Sequence, residues 1–196
     1  LDAAEIDLEL LEAFKTEKRL MPHIHLSLQS HDDLILKRMK RRHNTKDAEN
    51  LIHNLKTARP DILFGADIIA GFPTESHEAF NNTLNAVKKL DLTFLHVFPY
   101  SARTGTPAAK MPQIPRNIKK ERAKLIREVG ESQLHKKLKQ SINTIQNVLV
   151  ETKEGIGHCE NFLVAKIKDA KYKKIYKCKI THIENNMLIG IIYESI

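Results

Sequence analysis

The feature that most constrains this chain is the apolar run at residues 62–71, ILFGADIIAG, which leads directly into a Phe-Pro turn. Its apolar residues occupy both alternating positions, a pattern typical of a strand covered on both faces of a parallel sheet. Helical spacing of apolar residues runs from a cap at Thr45 to a stop before Pro60, and again through residues 80–90. HIHLSL before this region and TFLHVFPYS after it predict two further strands. The alternation predicts parallel pairing with helical crossovers, hence an α/β region to about residue 100.

The rest of the chain changes character. Residues 101–115 form a long loop, of a kind that is often functional or linking, and a basic helix is predicted from Asn117 to about Ser141. Four short β-rich runs follow, and Asn185-Asn186 between the last two is a hairpin signal. The runs are TIQNVLVET, NFLVAKIK, IYKCKITHI and NMLIGIIYES. We expect a small all-β barrel or sandwich here.

Composition excludes several classes of protein. Of the 196 residues, 41% are hydrophobic, which suffices for a sizeable core. No apolar run of about 18 residues and no signal-peptide pattern occurs, so we expect a cytoplasmic protein with no membrane contact. The net charge of +8 favours a polyanionic partner such as nucleic acid. The first residue, Leu1, suggests a piece of a longer protein.

Candidate ligand-binding residues follow the predicted strands, because ligands of parallel α/β folds bind beyond the carboxyl ends of the strands. Gly71 would let a ligand approach the backbone and Pro73 would stiffen the turn, although both also suit an ordinary strand-to-helix turn. Asp67, inside an apolar strand, needs an arginine, a lysine, backbone amides or a ligand as its partner. Glu75 would cap the next helix or order the ligand site. The residues singled out are Ser27, Gln29 and Ser30, then Asp67, Gly71, Phe72, Pro73 and Glu75, then Pro99, Tyr100 and Arg103.

A second candidate surface is the basic segment LKRMKRRH at residues 36–43. Clustered basic side chains neutralise phosphates and give sequence-independent affinity for nucleic acid, whereas many such runs are only solvated faces. The predicted RNA-binding residues are Lys37, Arg38, Lys40, Arg41, Arg42 and Arg103.

No metal site is predicted. The chain has two cysteines, Cys159 and Cys178, and their spacing from His158 and His182 fits structural zinc poorly. We expect two reduced thiols packed in the interior. His96 is expected to be a hydrogen-bonded core histidine rather than a catalytic base.

Four segments, in order, resemble one known family. They are HIHLSLQSHDDLILKRMKRRHNTKDA, RPDILFGADIIAGFPTES, LTFLHVFPYSARTGTPAAKMPQIP and KKERAKLIREVGE. Together they resemble the second half of the radical S-adenosylmethionine (SAM) core of the methylthiotransferases, above all those that modify threonylcarbamoyladenosine in tRNA. The β-rich tail resembles the family's RNA-binding TRAM domain more loosely. The resemblance implies an α/β partial radical-SAM (TIM-like) barrel at residues 1–130, followed at residues 131–196 by a small all-β TRAM-like (OB-like) barrel domain with its leading helix.

The resemblance also assigns roles to residues. Ile69 and Gly71 match the strand motif beside the adenosine. Ser27 and Gln29 match the strand end that faces the ribose and methionine, and residues 97–100 match the segment that lines the adenine. Thr74 and His31 replace glycines common in the family, which matters because a Cβ restricts positive φ. The implied SAM-binding residues are Ser27, Gln29, Asp67, Ile69, Gly71, Phe72, Val97, Pro99 and Tyr100.

The implied cofactors are SAM and 4Fe-4S iron–sulfur clusters. The family holds its clusters with a CxxxCxxC triad and further cysteines upstream, and thiolates are the ligands such clusters need. This sequence has no such triad. The resemblance therefore implies a C-terminal portion of an enzyme that adds a methylthio group to C2 of N6-threonylcarbamoyladenosine at tRNA position 37. The portion would hold no catalytic residue and would be inactive alone.

The implied partners are the anticodon stem-loop of tRNA and the missing N-terminal part of the same enzyme. Two alternatives stay open. The chain could be a non-catalytic RNA-binding module, or it could come from the related enzyme that modifies a ribosomal protein.

Overall fold

The structure, a computed structural model, describes residues 1–195. Its helices are α1 (Leu8–Thr16), α2 (Asp33–Arg38), α3 (Thr45–Ala58), α4 (His77–Lys89) and α5 (Arg116–Ser141), with short 3-10 helices at Ala3–Glu5 and Pro107–Lys110. Its strands are β1 (His23–Gln29), β2 (Leu63–Ala70), β3 (Leu92–Pro99), β4 (Ile145–Val150), β5 (Ile156–Cys159), β6 (Val164–Ile167), β7 (Ile175–Glu184) and β8 (Met187–Ser195). No helix in the described part of the chain is long and apolar enough to cross a membrane.

Strands β1, β2 and β3 form a parallel sheet in that order, which confirms the predicted α/β region. One face of the sheet is buried beneath helices. Leu26 of β1 and Ala66 of β2 are fully buried, in one apolar cluster with Leu55 of α3, Val87 of α4 and Ile126 of α5. Burial of this area is the main stabilising term of the sheet.

The opposite face of the sheet is open toward the carboxyl ends of its strands. Burial alternates along β1 and along the second half of β2, where Asp67 and Ile69 are half-buried. The prediction that residues 62–71 are covered on both faces is therefore wrong for this half, because the helices cover one face only. The face that carries Asp67 is referred to below as the open face.

Strands β4–β8 form a closed five-stranded barrel in the order β4-β5-β6-β8-β7. The β6–β8 pair is parallel, and the other pairs are antiparallel. The predicted all-β unit is confirmed. Asn185 and Asn186 both have positive φ, 49° and 58°, as the predicted tight hairpin between β7 and β8 requires.

The barrel covers the amino ends of the strands on the open face. Leu63 of β2 belongs to the apolar core of the barrel, and Phe94 of β3 packs against that core. His23 of β1 stacks on Phe162 of the barrel, with ring centroids 4.5 Å apart. The open face is therefore covered by the barrel at the amino ends of its strands and accessible at their carboxyl ends.

Helix α5 joins the two parts. Its Ala123 and Ile126 lie in the core of the sheet, and its Leu138 lies in the core of the barrel. The predicted domain boundary between residues 130 and 131 falls inside this helix and stays a prediction.

The first residues of α2 and α3 are held by capping side chains. The side chain of Asp32, a residue type that favours helix starts, accepts a hydrogen bond from the amide of Ile35 and so caps α2. Asn44, rather than Thr45, caps α3, and its reciprocal bonds with Asp47 complete a capping box. The prediction was wrong by one residue because both residue types suit the position.

Candidate functional site

A cavity of about 560 Å³ lies at the carboxyl ends of the three parallel strands. This volume is within the range of roughly 300–1,000 Å³ of small-molecule sites. Its walls are mostly apolar, and Phe98 within it is 54% exposed and so available to a ligand. The lining residues are Gln29, Asp67, Ile69, Phe98, Pro99, Tyr100, Ser101, Arg103, Thr106 and Ala108.

A second cavity of about 320 Å³ adjoins the first and shares four lining residues with it. The shared residues are Gln29, Ile69, Thr106 and Ala108. Arg38, Lys40 and Arg41 line its other side, so part of the basic segment borders the strand ends. Together the cavities offer an apolar compartment beside a cationic one.

Gln29 occupies the boundary between the two cavities. It ends β1, where the pairing with β2 shifts register, and its φ is 62°. Positive φ is uncommon for a residue with a Cβ, and such strained positions cluster at functional sites.

The turn after β2 is held by a buried carboxylate. Glu75 Oε2 accepts from the backbone amide of Gly71 at 2.9 Å and from the guanidinium of Arg122 at 2.6 Å. Burial raises the pKa of Glu75, while Arg122 and the Gly71 amide oppose that shift. Of the two predicted roles, Glu75 orders the turn; Ser76 caps α4 instead.

Two features of the structure require glycine at position 71. Its φ is 74°, and a Cβ built on it would lie 2.4 Å from Cγ of Lys119 on α5. The left-handed backbone and the close approach of helix α5 both require a residue without a Cβ, and the approach of a ligand to Gly71 stays a prediction.

The two positions where the family commonly has glycine behave differently. Thr74 has φ 68°, so it keeps the left-handed backbone although it is β-branched. Its hydroxyl accepts from the Arg38 guanidinium at 2.5 Å. His31 is not among the positive-φ residues of the described chain, and its amide donates to Thr83 Oγ1 at 2.9 Å.

The structure brings most of the predicted SAM-binding residues together. Gln29, Asp67, Ile69, Pro99 and Tyr100 line the first cavity, and Phe72 lines the second. Ser27, Gly71 and Val97 line neither cavity. Val97 is buried in the core beneath the helices, and its carbonyl accepts from Arg127 at 2.7 Å.

Asp67 has partners that were not predicted. Its Oδ1 lies 3.0 Å from Nε2 of His25 and 3.3 Å from Nδ1 of His96. The expectation of an arginine, a lysine or backbone amides is corrected by these contacts. The expectation that His96 lies in the core is also wrong, because its side chain is 64% exposed on the open face.

Sequence reasoning missed His25. Gly65 places it: a Cβ built on Gly65 would lie 2.3 Å from Nδ1 of His25, so the imidazole lies over the bare glycine and reaches Asp67. Two features of the sequence could have indicated His25: the alternation HxH in β1, and a glycine two residues before an aspartate in β2. They predict a contact only once the register between β1 and β2 is known.

Three residues of the basic segment are engaged within the chain. Arg41 donates to Asp2 at 2.7 Å and to the carbonyl of Ser27, and Arg42 donates to Glu5 at 2.6 Å. Arg38 contacts Thr74, as described above. The remaining predicted RNA-binding residues, Lys37, Lys40 and Arg103, are exposed.

The chain's own thiols do not fit an iron–sulfur cluster. Cys159 and Cys178 are buried within the β barrel. Burial, assisted by the proximity of Cys178, raises the pKa of Cys159 to about 12, and burial raises that of Cys178 to about 11. Cluster ligands are thiolates, whereas burial favours the protonated form of these two thiols, and neither lines either of the two cavities.

Comparison with known proteins adds a family to this geometry. A family model described as the radical SAM superfamily matches residues 2–87. Threonylcarbamoyladenosine tRNA methylthiotransferase MtaB of Rickettsia prowazekii (strain Madrid E) is 48% identical over 189 residues, which cover 96% of this chain and 45% of that protein. By these matches the chain is similar to radical SAM enzymes and to tRNA methylthiotransferases. The match confirms the resemblance carried by the four segments.

Two further relatives have related names. The tRNA-2-methylthio-N(6)-dimethylallyladenosine synthase of Ehrlichia canis (strain Jake) is 35% identical and covers 93% of this chain and 44% of its own length. A probable threonylcarbamoyladenosine tRNA methylthiotransferase of Methanocaldococcus jannaschii is 37% identical, with coverage of 88% and 40%. The chain thus spans less than half the length of these relatives.

Among solved structures, coproporphyrinogen III oxidase (HemN) of Escherichia coli, a radical SAM enzyme, overlaps 78% of this chain and 33% of its own. The TM-score is 0.49 and the identity 20%, so the overlap adds nothing to the assignment.

Proposed function

We propose that the chain supplies the cofactor-lining wall and an RNA-binding part of a tRNA methylthiotransferase. The substrate position would be N6-threonylcarbamoyladenosine at tRNA position 37, to whose C2 the whole enzyme adds a methylthio group. The observation that carries the proposal is the convergence of three parallel strand ends on one cavity, in a chain whose relatives are named tRNA methylthiotransferases.

The cavity residues suit SAM. Ile69, Pro99 and Tyr100 offer apolar surface for an adenine, and Gln29 offers both donors and an acceptor to a ribose or an amino-acid group. The neighbouring Arg38 and Lys40 suit the carboxylate of the methionine portion or an RNA phosphate. When bound beside an iron–sulfur cluster, SAM supplies the radical chemistry of the superfamily.

The cluster ligands would come from polypeptide outside these 196 residues. Both thiols of this chain lie in the barrel interior, and neither lines the cavity proposed to bind SAM. The chain by itself, reconstituted anaerobically with iron and sulfide, should stay colourless. Brown absorbance with stoichiometric iron and sulfide would overturn this part of the proposal.

The five-stranded barrel would act as the TRAM-like (OB-like) RNA-binding domain. Five lysines lie within residues 171–179, and Tyr172 and Tyr193 are 45% and 63% exposed. Exposed aromatic rings stack on bases, and lysines neutralise the backbone. We propose a cytoplasmic location for this activity on tRNA.

RNA binding is testable through salt. The affinity of the chain for tRNA should fall steeply with ionic strength, with the log–log slope steepening by about 0.9 for each neutralised phosphate at duplex-like sites and about 0.7 at single-stranded ones. Lys173→Glu and Lys40→Glu should each weaken binding and flatten the slope. The control Lys46→Glu, an exposed lysine on α3, should leave both unchanged. A flat salt response in the unmodified chain would contradict the RNA assignment.

Activity separates the open alternatives. The chain should be supplied with a polypeptide that carries the cysteine triad, and tRNA nucleosides should be analysed by mass spectrometry. Gain of a methylthio group on threonylcarbamoyladenosine is the expected outcome. RNA binding without modification would favour a non-catalytic module, and modification of a ribosomal protein instead would favour the sister enzyme.

A further inference from the structure

We propose that His25, Asp67 and His96 form a binding site for a divalent transition-metal ion on the open face of the sheet. The site goes beyond the proposed function, because it needs neither SAM nor RNA. It is also distinct from a cluster site, because its donors are imidazole nitrogens and a carboxylate oxygen.

The geometry matches a cation with two imidazoles and one carboxylate. The three donor atoms lie within 4.8 Å of one another. Nε2 of His25 and Nδ1 of His96 lie 3.0 Å and 3.3 Å from Asp67 Oδ1. Ligand bonds of about 2.0–2.2 Å to a tetrahedral ion place neighbouring donors roughly 3.3–3.6 Å apart. The two pairs that include Asp67 would need to change by only a few tenths of an ångström to admit the ion, and the two imidazole nitrogens lie within 4.8 Å of each other.

The backbone preorganises the three ligands. Each belongs to a different strand of one hydrogen-bonded sheet, and Asp67 and His96 are paired in register. The bare backbone of Gly65 fixes the approach of His25, as described above. The two imidazole rings lie 4.6 Å apart at an angle of 35°. Sites held by rigid strands need little rearrangement on binding.

Chemistry and access favour a transition metal with open coordination positions. Imidazole suits Zn²⁺, Fe²⁺, Co²⁺, Ni²⁺ and Cu²⁺, and two histidines with one carboxylate leave positions free for water or substrate. The side chains of His25 and Asp67 are 27% and 29% exposed, and that of His96 is 64% exposed, so an ion can enter from solvent. Because Asp67 also lines the larger cavity, the ion would lie at the cavity's edge.

Without a metal, Asp67 Oδ1 is hydrogen-bonded to Nε2 of His25, and Nδ1 of His96 lies 3.3 Å from the same oxygen. That arrangement satisfies the carboxylate and predicts no metal affinity above that of an isolated surface histidine. Titration of the metal-free chain with Co²⁺ and with Zn²⁺ distinguishes the two.

We expect one equivalent of Co²⁺ to bind with visible d–d absorption and without the intense near-ultraviolet bands of thiolate ligation, and one equivalent of Zn²⁺ to compete for it. Asp67→Asn and His96→Ala should each weaken binding at least about tenfold. His96 is largely exposed, so its replacement leaves folding intact, which circular dichroism checks. Failure to bind either ion would overturn the proposal.

The matched control is His158→Ala. His158 pairs with the carboxylate of Glu151 on the barrel and belongs to no group of three possible metal ligands among the described residues, so the variant should bind both ions as the unmodified chain does. Loss of binding in this control, or binding that survives both Asp67→Asn and His96→Ala, would assign the ion elsewhere and overturn the site.

Discussion

At the residue scale, the buried pair Glu75–Arg122 fixes the turn on which the cavity depends. The side chain of Glu75 is 2% exposed and that of Arg122 is 12% exposed, so each charge is satisfied almost entirely by the other and by nearby backbone. The pair ties the turn at residues 71–75 to helix α5.

We predict that Glu75→Ala destabilises the chain by about 3–5 kcal/mol, because it leaves the Arg122 guanidinium buried without its counter-charge. Glu75→Gln, which keeps an acceptor for the Gly71 amide, should cost less. Urea unfolding at neutral pH measures both. The pair would have no such role if Glu75→Ala unfolded at the same urea concentration as the unmodified chain.

The sequence predicted which residues gather at the strand ends but not all of their partners. Gln29, Ile69 and Tyr100 reach the cavity because carboxyl ends of parallel strands meet at one edge. Asp67 and His25 are 42 positions apart, and their contact depends on strand register, which no local pattern specifies. The role of Gly71 likewise depends on helix α5, far along the chain.

At the scale of elements, strong turn chemistry was predictable and glycine-rich strands were not. The Asn185-Asn186 pair predicted the hairpin because both residues tolerate positive φ. Strand β5 was missed because Gly155 and Gly157 resemble breaks. Gly157 lies inside that strand, where a Cβ would come within 1.8 Å of the Leu149 carbonyl oxygen of β4. Close strand approach, rather than a turn, explains this glycine.

The barrel strands also protect the thiols. Because burial raises the pKa of Cys159 to about 12 and that of Cys178 to about 11, almost no thiolate exists near pH 8 in the folded chain. We predict negligible alkylation by iodoacetamide until denaturant opens the barrel, followed by labelling of both residues. Equal rates in native and unfolded chain would show that the barrel does not shield them.

At the scale of the whole molecule, the barrel and the sheet meet through aromatic contacts. His23 packs between Phe162 of the barrel and Phe94 of β3, and its Nε2 is buried without a hydrogen-bond partner in the described structure. Burial, with a smaller contribution from His25, lowers the pKa of His23 to about 4 from its ordinary value of 6.5.

This interface should make stability depend on pH. Between pH 6.5 and 4 the unfolded chain binds a proton at His23 that the folded chain does not, so the free energy of unfolding falls as pH falls through that window. His23→Phe keeps the ring stacking and removes the titration, so its loss of stability on acidification should be smaller.

Unfolding curves at several pH values in this window test the effect. His53→Phe, at an exposed position of α3, is the matched control and should retain the full dependence. If the free energy of unfolding of His23→Phe fell with pH as steeply as that of the unmodified chain, the assignment of this dependence to His23 would be contradicted.

Within the described residues, β3 pairs with a single strand, β2, so the part of its other side that Arg127 does not occupy at the Val97 carbonyl offers backbone donors and acceptors to a chain that approaches. Two copies could lie there side by side and extend each other's sheet. Light scattering per unit mass of the purified chain should therefore increase with concentration, and dilute stocks should stay in solution longer than concentrated ones.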